Sequence, residues 1–160
     1  MTRHPLKRFI GIDPGLSGGV AILDQVGQCW AVHDMPIVNG KVDCKALRGM
    51  VQWDGAHIAV EKVELRSGQC GVQTMLSNYG RILAVLELIE NDYHLIASKD
   101  WQKGMGLPKA RKEKIARYTM MAADRWTDWP FYGPGGGLKD GRAAACWIAD
   151  KLRIKVQGLA

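Results

Sequence analysis

Apolar positions along this chain follow two periods, and the switches between them mark its elements. Phe9-Ile-Gly-Ile-Asp13 is a short apolar run closed by Pro14-Gly15, and Gly19-Val-Ala-Ile-Leu-Asp24 resumes after Ser17-Gly18. This predicts a strand, a tight turn and a second strand. A third extended segment runs from about Cys29 to His33 after the turn residues Gln25-Val-Gly27, so three sequential antiparallel strands are the simplest arrangement. Leu47, Met50 and Val51 at helical spacing predict a short helix over 43–53, with Asp43 as its N-cap. His57-Ile-Ala-Val-Glu61-Lys-Val63 is apolar and rich in β-branched residues, the pattern of a buried strand with Glu61 near its end.

From Gln69 to Glu90 a polar loop passes into a long helix whose apolar face is Met75, Ile82, Leu83, Leu86 and Ile89. Tyr93-His-Leu-Ile-Ala97 predicts another strand. Lys109 to Trp126 reads as a basic helix with Ile115, Tyr118, Met121 and Ala122 on one side. Pro130 and Gly133-Pro-Gly-Gly-Gly137 interrupt the pattern, either as a mobile loop or as a close-packed turn. A last helix over 140–154 turns Ala144, Trp147, Ile148 and Leu152 inward. No repeat emerges, and 160 residues suit a single domain over 1–160.

Charge narrows the partners. A net charge of +6 favours a polyanion without saying where it binds. Cys29, Cys44, Cys70 and Cys146 form no CxxC pair, which excludes a legible zinc or redox motif and suggests reduced thiols. The basic start runs into Gly11, Asp13 and Pro14 where a signal peptide needs an unbroken apolar stretch, and no segment reaches transmembrane length. A cytoplasmic protein with no membrane partner is the expectation.

The chemistry lies in the acids. A strand that ends in Asp13 and breaks at Pro-Gly places that carboxylate at the rim of the sheet. Glu61 sits late in an apolar strand, where an unpaired carboxylate is costly without a cation or donors. Asp140 opens the final helix directly after the glycine run. Singly, each has an ordinary role as turn residue, rim ion pair or N-cap. Jointly, three acids from distant segments suit an oxygen-only site for Mg²⁺ or Mn²⁺, which can activate a water and stabilise the leaving oxygen in phosphodiester hydrolysis.

Phe9-Ile-Gly-Ile-Asp-Pro-Gly-Leu-Ser-Gly-Gly-Val-Ala-Ile, then Ile58-Ala-Val-Glu-Lys-Val, then Asp140-Gly-Arg-Ala-Ala-Ala-Cys-Trp-Ile-Ala together resemble the RuvC-type Holliday-junction resolvases, especially their compact phage and prophage forms. Gly68 to Gly80 and Ser98-Lys-Asp-Trp101-Gln-Lys103 add to the likeness, which spans nearly the whole chain. The resemblance implies an RNase H-like α/β fold: a five-stranded mixed sheet, its first three strands antiparallel, flanked by helices. It further implies a homodimer that acts on four-way junctions and other branched DNA. Asp13, Glu61 and Asp140 match the family's metal ligands. A fourth acid is expected one helical turn after Asp140, at position 144 in the phage-type pattern, and here the residue is Ala144. Either the acid has been replaced by an inactivating substitution, or this is a divergent member that works with three carboxylates.

Candidate DNA contacts follow. Lys109, Arg111 and Lys112, with Lys114 and Arg117, form a basic stripe at the start of one helix, equally readable as a solvated face. Lys62 lies beside Glu61, and Arg66, Ser67 and Gln69 occupy the loop that the resemblance directs toward the junction. The six tryptophans suit core or interface positions better than base stacking. Besides the metal-dependent endonuclease, two readings stay open: a junction-binding protein of the same fold that does not cut, motivated by Ala144, and a nucleotide-dependent kinase or ATPase, against which stands the lack of a phosphate loop.

Overall fold

The computed structural model describes residues 7–65 and 70–159. Arg66, Ser67 and Gln69, three of the expected DNA contacts, lie outside the described residues. The chain begins with strands β1 (Phe9–Asp13), β2 (Gly19–Leu23) and β3 (Cys29–Asp34), followed by a two-stranded ribbon of β4 (Ile37–Val38) and β5 (Lys41–Val42). Helix α1 (Cys44–Val51) precedes β6 (His57–Glu61), α2 (Val72–Leu88) and β7 (Tyr93–Ile96). Three helices complete the order: α3 (Ser98–Gln102), α4 (Arg111–Arg125) and α5 (Asp140–Gln157).

The main sheet has the order β3-β2-β1-β6-β7. β1 pairs antiparallel with β2, and β2 with β3, as the strand-turn-strand pattern suggests. β1 and β6 run parallel, as do β6 and β7. β6 lies between β1 and β7 and its three middle residues are fully buried, which is why it reads as a continuous apolar run.

Alternation along the strands loads both faces. Ile10, Ile12, Val20, Ile22, Ile58 and Val60 pack with Leu47 and Val51 of α1 and Ile82, Val85 and Leu86 of α2. Phe9, Ala21, Leu23, Val32 and Ala59 take the opposite face under α5, with Trp101, Tyr118 and Ala122. Most of α5 is buried, and small residues let it lie close to the sheet. A Cβ on Gly11 would meet the Ala145 carbonyl oxygen at 2.0 Å, so β1 must carry glycine where α5 crosses it.

Several expectations shift by a few residues. Asp43 caps α1, accepting from the Lys45 and Ala46 N–H groups. β6 stops at Glu61 rather than Val63, and α4 starts at Arg111 rather than Lys109. The β4–β5 ribbon and α3 have no counterpart in the sequence reading, because two-residue strands and a five-residue helix are too short to show a period. All four cysteines are free thiols. No helix among the described residues is long and apolar enough to cross a membrane.

Candidate active site

Parallel pairing of β1 with β6 sets Ile12 opposite Val60, so the next residues, Asp13 and Glu61, end adjacent strands at the same level. Ile12 and Val60 both pack toward α1 and α2. Strand alternation therefore directs Asp13 and Glu61 to the other face, the one α5 covers.

Asp140 is the first residue of α5 on that face. Its place depends on Gly141, where a Cβ would lie 2.1 Å from the Ser17 carbonyl oxygen in the β1–β2 turn. Any larger residue would push the start of α5 away from that turn. The N-cap position belongs to Lys139 and makes no side-chain cap bond, so Asp140 is not spent on capping.

The acids feel one another's charge. Burial, then the negative charge of Glu61, push the Asp13 pKa up to about 7; the Gly15 N–H opposes the shift, and Asp140 adds to it. The turn-forming role of Asp13 is slight, one bond of 3.4 Å from Gly15. None of the three acids is ion-paired with Lys or Arg among the described residues.

Glu61 is held from the side. The Ser98 hydroxyl donates to its Oε1 at 2.5 Å and the Trp101 indole N–H to its Oε2 at 2.7 Å. These two α3 residues are what the sequence reading missed; Trp101 lies in the stretch that resembles the family, but its polar handle is the only local sign of a role. Tyr118 of α4 packs against the edge of Trp101, ring centroids 5.4 Å apart. Its ring is buried, and among the described residues its hydroxyl makes no hydrogen bond. Burial holds its pKa well above the ordinary tyrosine value, as do Asp140, Asp13 and Glu61, while Arg111 opposes them. The phenol is therefore a neutral group facing the acids.

The acids thus share one rim, yet among the described residues no three acidic, histidine or cysteine side chains converge into a metal-ligand set. Like charges so placed repel, and Glu61 is turned toward Ser98 and Trp101. A divalent cation would reverse the sign of that repulsion, and an unpaired, oxygen-only donor set of this kind fits Mg²⁺ or Mn²⁺ in its chemistry. Ala144, one turn beyond Asp140, is buried in the cluster that also contains Trp101 and Tyr118.

Lys62, Lys109, Arg111 and Lys112 are exposed and form no ion pair among the described residues. Arg111 stands two turns before Tyr118 on α4, at the acid end of the helix. At the end of β3, Asp34 takes two bonds from Arg142, at 2.7 and 2.9 Å, and one from Lys139 at 3.0 Å. Those cations hold the Asp34 carboxyl below its ordinary pKa and tie the start of α5 to the sheet.

A mixed five-stranded sheet of this order, with helices on both faces, is the RNase H-like architecture, in its RuvC form. The chain superposes on "T. thermophilus RuvC in complex with Holliday junction substrate" with a TM-score of 0.60 and 11% identity, covering 95% of this chain and 96% of that one. A second Thermus thermophilus RuvC structure gives a TM-score of 0.56 and 15% identity over 94% and 96% of the two chains. No protein-family model matches the chain, and no curated protein matches it in sequence. The likeness is one of fold.

Proposed function

We propose that this protein is a metal-dependent endonuclease that cuts phosphodiester bonds in branched DNA, with four-way junctions as its substrate. One observation carries the reading: Asp13 and Glu61 end adjacent parallel strands abreast, on the face where Asp140 opens α5. Mg²⁺ or Mn²⁺, held by Asp13, Glu61 and Asp140, would supply the positive charge that activates water and stabilises the leaving oxygen. The chain's own residues do the rest. Ser98 and Trp101 orient Glu61, and the free hydroxyl of Tyr118 donates a hydrogen bond to the scissile phosphate. Lys109, Arg111 and Lys112 at the start of α4, with Lys62 beside Glu61, neutralise flanking phosphates. Arg66, Ser67 and Gln69 are proposed to reach the branch point.

We further propose that the protein acts as a homodimer in the cytoplasm. The outward side of α2 carries Leu76, Gly80, Ala84 and Leu88 at four-residue spacing, with Leu88 74% exposed. An uncharged stripe of that kind suits a symmetric partner better than water.

A second reading, junction binding without cleavage, is favoured by Ala144, which stands where the resemblance expects a fourth acid. A labelled four-way junction incubated with Mg²⁺ or Mn²⁺ separates the two. Nicking that vanishes in Asp13→Asn supports the nuclease; tight binding with no nicking under either ion favours the binder.

A further inference from the structure

A groove of about 640 Å³ opens beside Asp140. The β1–β2 turn forms one wall through Leu16 and Ser17, and the loop from Gly133 to Lys139 forms the other. That loop is locked in place. Tyr132 and Leu138 form a bridge, the Gly133 N–H donates to the Gly137 carbonyl at 2.7 Å, and the Lys139 N–H donates to the Phe131 carbonyl at 2.8 Å. The groove is therefore preformed.

Its glycines have different reasons to be there. Gly136 has a φ of 78°, a conformation that favours glycine. Gly135 and Gly137 do not have positive φ, and a Cβ on either would meet nothing within 4 Å. Neither backbone conformation nor packing within the chain requires glycine at these two places, yet both line the groove next to an acid of the site. Bare main chain there leaves room for something to pass close by.

The walls indicate what passes. Leu16 is 50% exposed and Leu138 41%, two apolar side chains left in water on opposite walls. Apolar surfaces of that size suit the face of a nucleobase, and a base offers its face only when it is unstacked and unpaired. Lys139 lines the groove and, with Arg142, binds the carboxylate of Asp34, so the groove carries cationic groups beside its two acids, Asp34 and Asp140.

We infer that this groove is the subsite for the unpaired nucleotide adjoining the scissile phosphate, its base between Leu16 and Leu138 and its backbone against Gly135 and Gly137. The inference rests on the nuclease reading and deepens it: it makes a locally unpaired strand the feature recognised.

The experiment uses the full chain and a four-way junction carrying 2-aminopurine at the branch point, with Ca²⁺ to follow binding. Gly137→Leu fills the groove, Leu16→Ser removes one wall at an exposed position, and Gly49→Ala, on α1, is the control. Expected is a rise in 2-aminopurine fluorescence with the wild type and the control. Both groove variants should melt at the wild-type temperature, lose that rise and bind the junction about tenfold more weakly, the scale of one lost base contact. Unchanged affinity and fluorescence in folded Leu16→Ser would overturn the groove while leaving the nuclease reading intact. A wild type that binds no junction overturns both.

Discussion

Trp101 donates its indole N–H to Glu61 at 2.7 Å, across forty residues of sequence, and so a core tryptophan sets the direction of a candidate catalytic carboxylate. Trp101→Phe keeps the ring that packs on Tyr118 and deletes the donor. A hydrogen bond to a charged group contributes about 1.5–3 kcal/mol, so single-turnover nicking is expected to fall about tenfold or more with junction affinity nearly unchanged. Equal loss of affinity and rate would assign Trp101 to general structure instead.

Asp13 gives a pH signature. Its pKa is raised from 3.8 to about 7 in the folded chain, so the folded state holds a proton that the unfolded state has released. Stability from this group is full below the unfolded value, is lost as pH rises from about 4 to 7, and is flat above that. Thermal melts without metal should show wild type losing stability relative to Asp13→Asn across that window. Mg²⁺ should narrow the gap at neutral pH. Parallel pH curves for the two proteins would mean that Asp13 titrates normally.

Tyr118→Phe removes a hydroxyl that bonds nothing in the described chain. Its melting temperature should match the wild type, because only the buried ring packs. If the hydroxyl meets the phosphate, the single-turnover rate drops about tenfold, the worth of one hydrogen bond, while affinity holds. An unchanged rate removes Tyr118 from the site.

Ala144→Asp tests the missing acid. Position 144 is buried, so an added carboxylate should cost about 1–3 kcal/mol of stability in chelator and lower the melting temperature accordingly. If the position belongs to the metal site, Mg²⁺ or Mn²⁺ should restore the melting temperature and nicking should accelerate. Destabilisation that no divalent ion relieves, with nicking no faster, would show that position 144 was never a ligand.

Much of this arrangement is legible in the chain. Short apolar runs bounded by turn residues locate the five main strands, and helical spacing finds α1, α2, α4 and α5 within a few residues. Asp13 before Pro-Gly and Asp140 after the glycine run already stand at element ends. These are local signals, carried by neighbours within a turn or a strand.

Tertiary structure decided how the distant pieces meet. Nothing in β1 or β6 announces that they lie side by side in parallel, and that pairing, with its register, is what sets Asp13 level with Glu61. The Trp101–Glu61 bond, the start of α5 seated on the β1–β2 turn, and a glycine loop that is a locked wall of a groove all depend on contacts between segments far apart in sequence. Sequence by itself determined which residues end their elements, because steric and hydrophobic preferences act over a few residues. Which ends come together is a property of sheet order and helix packing, and these exist only once the whole chain is folded.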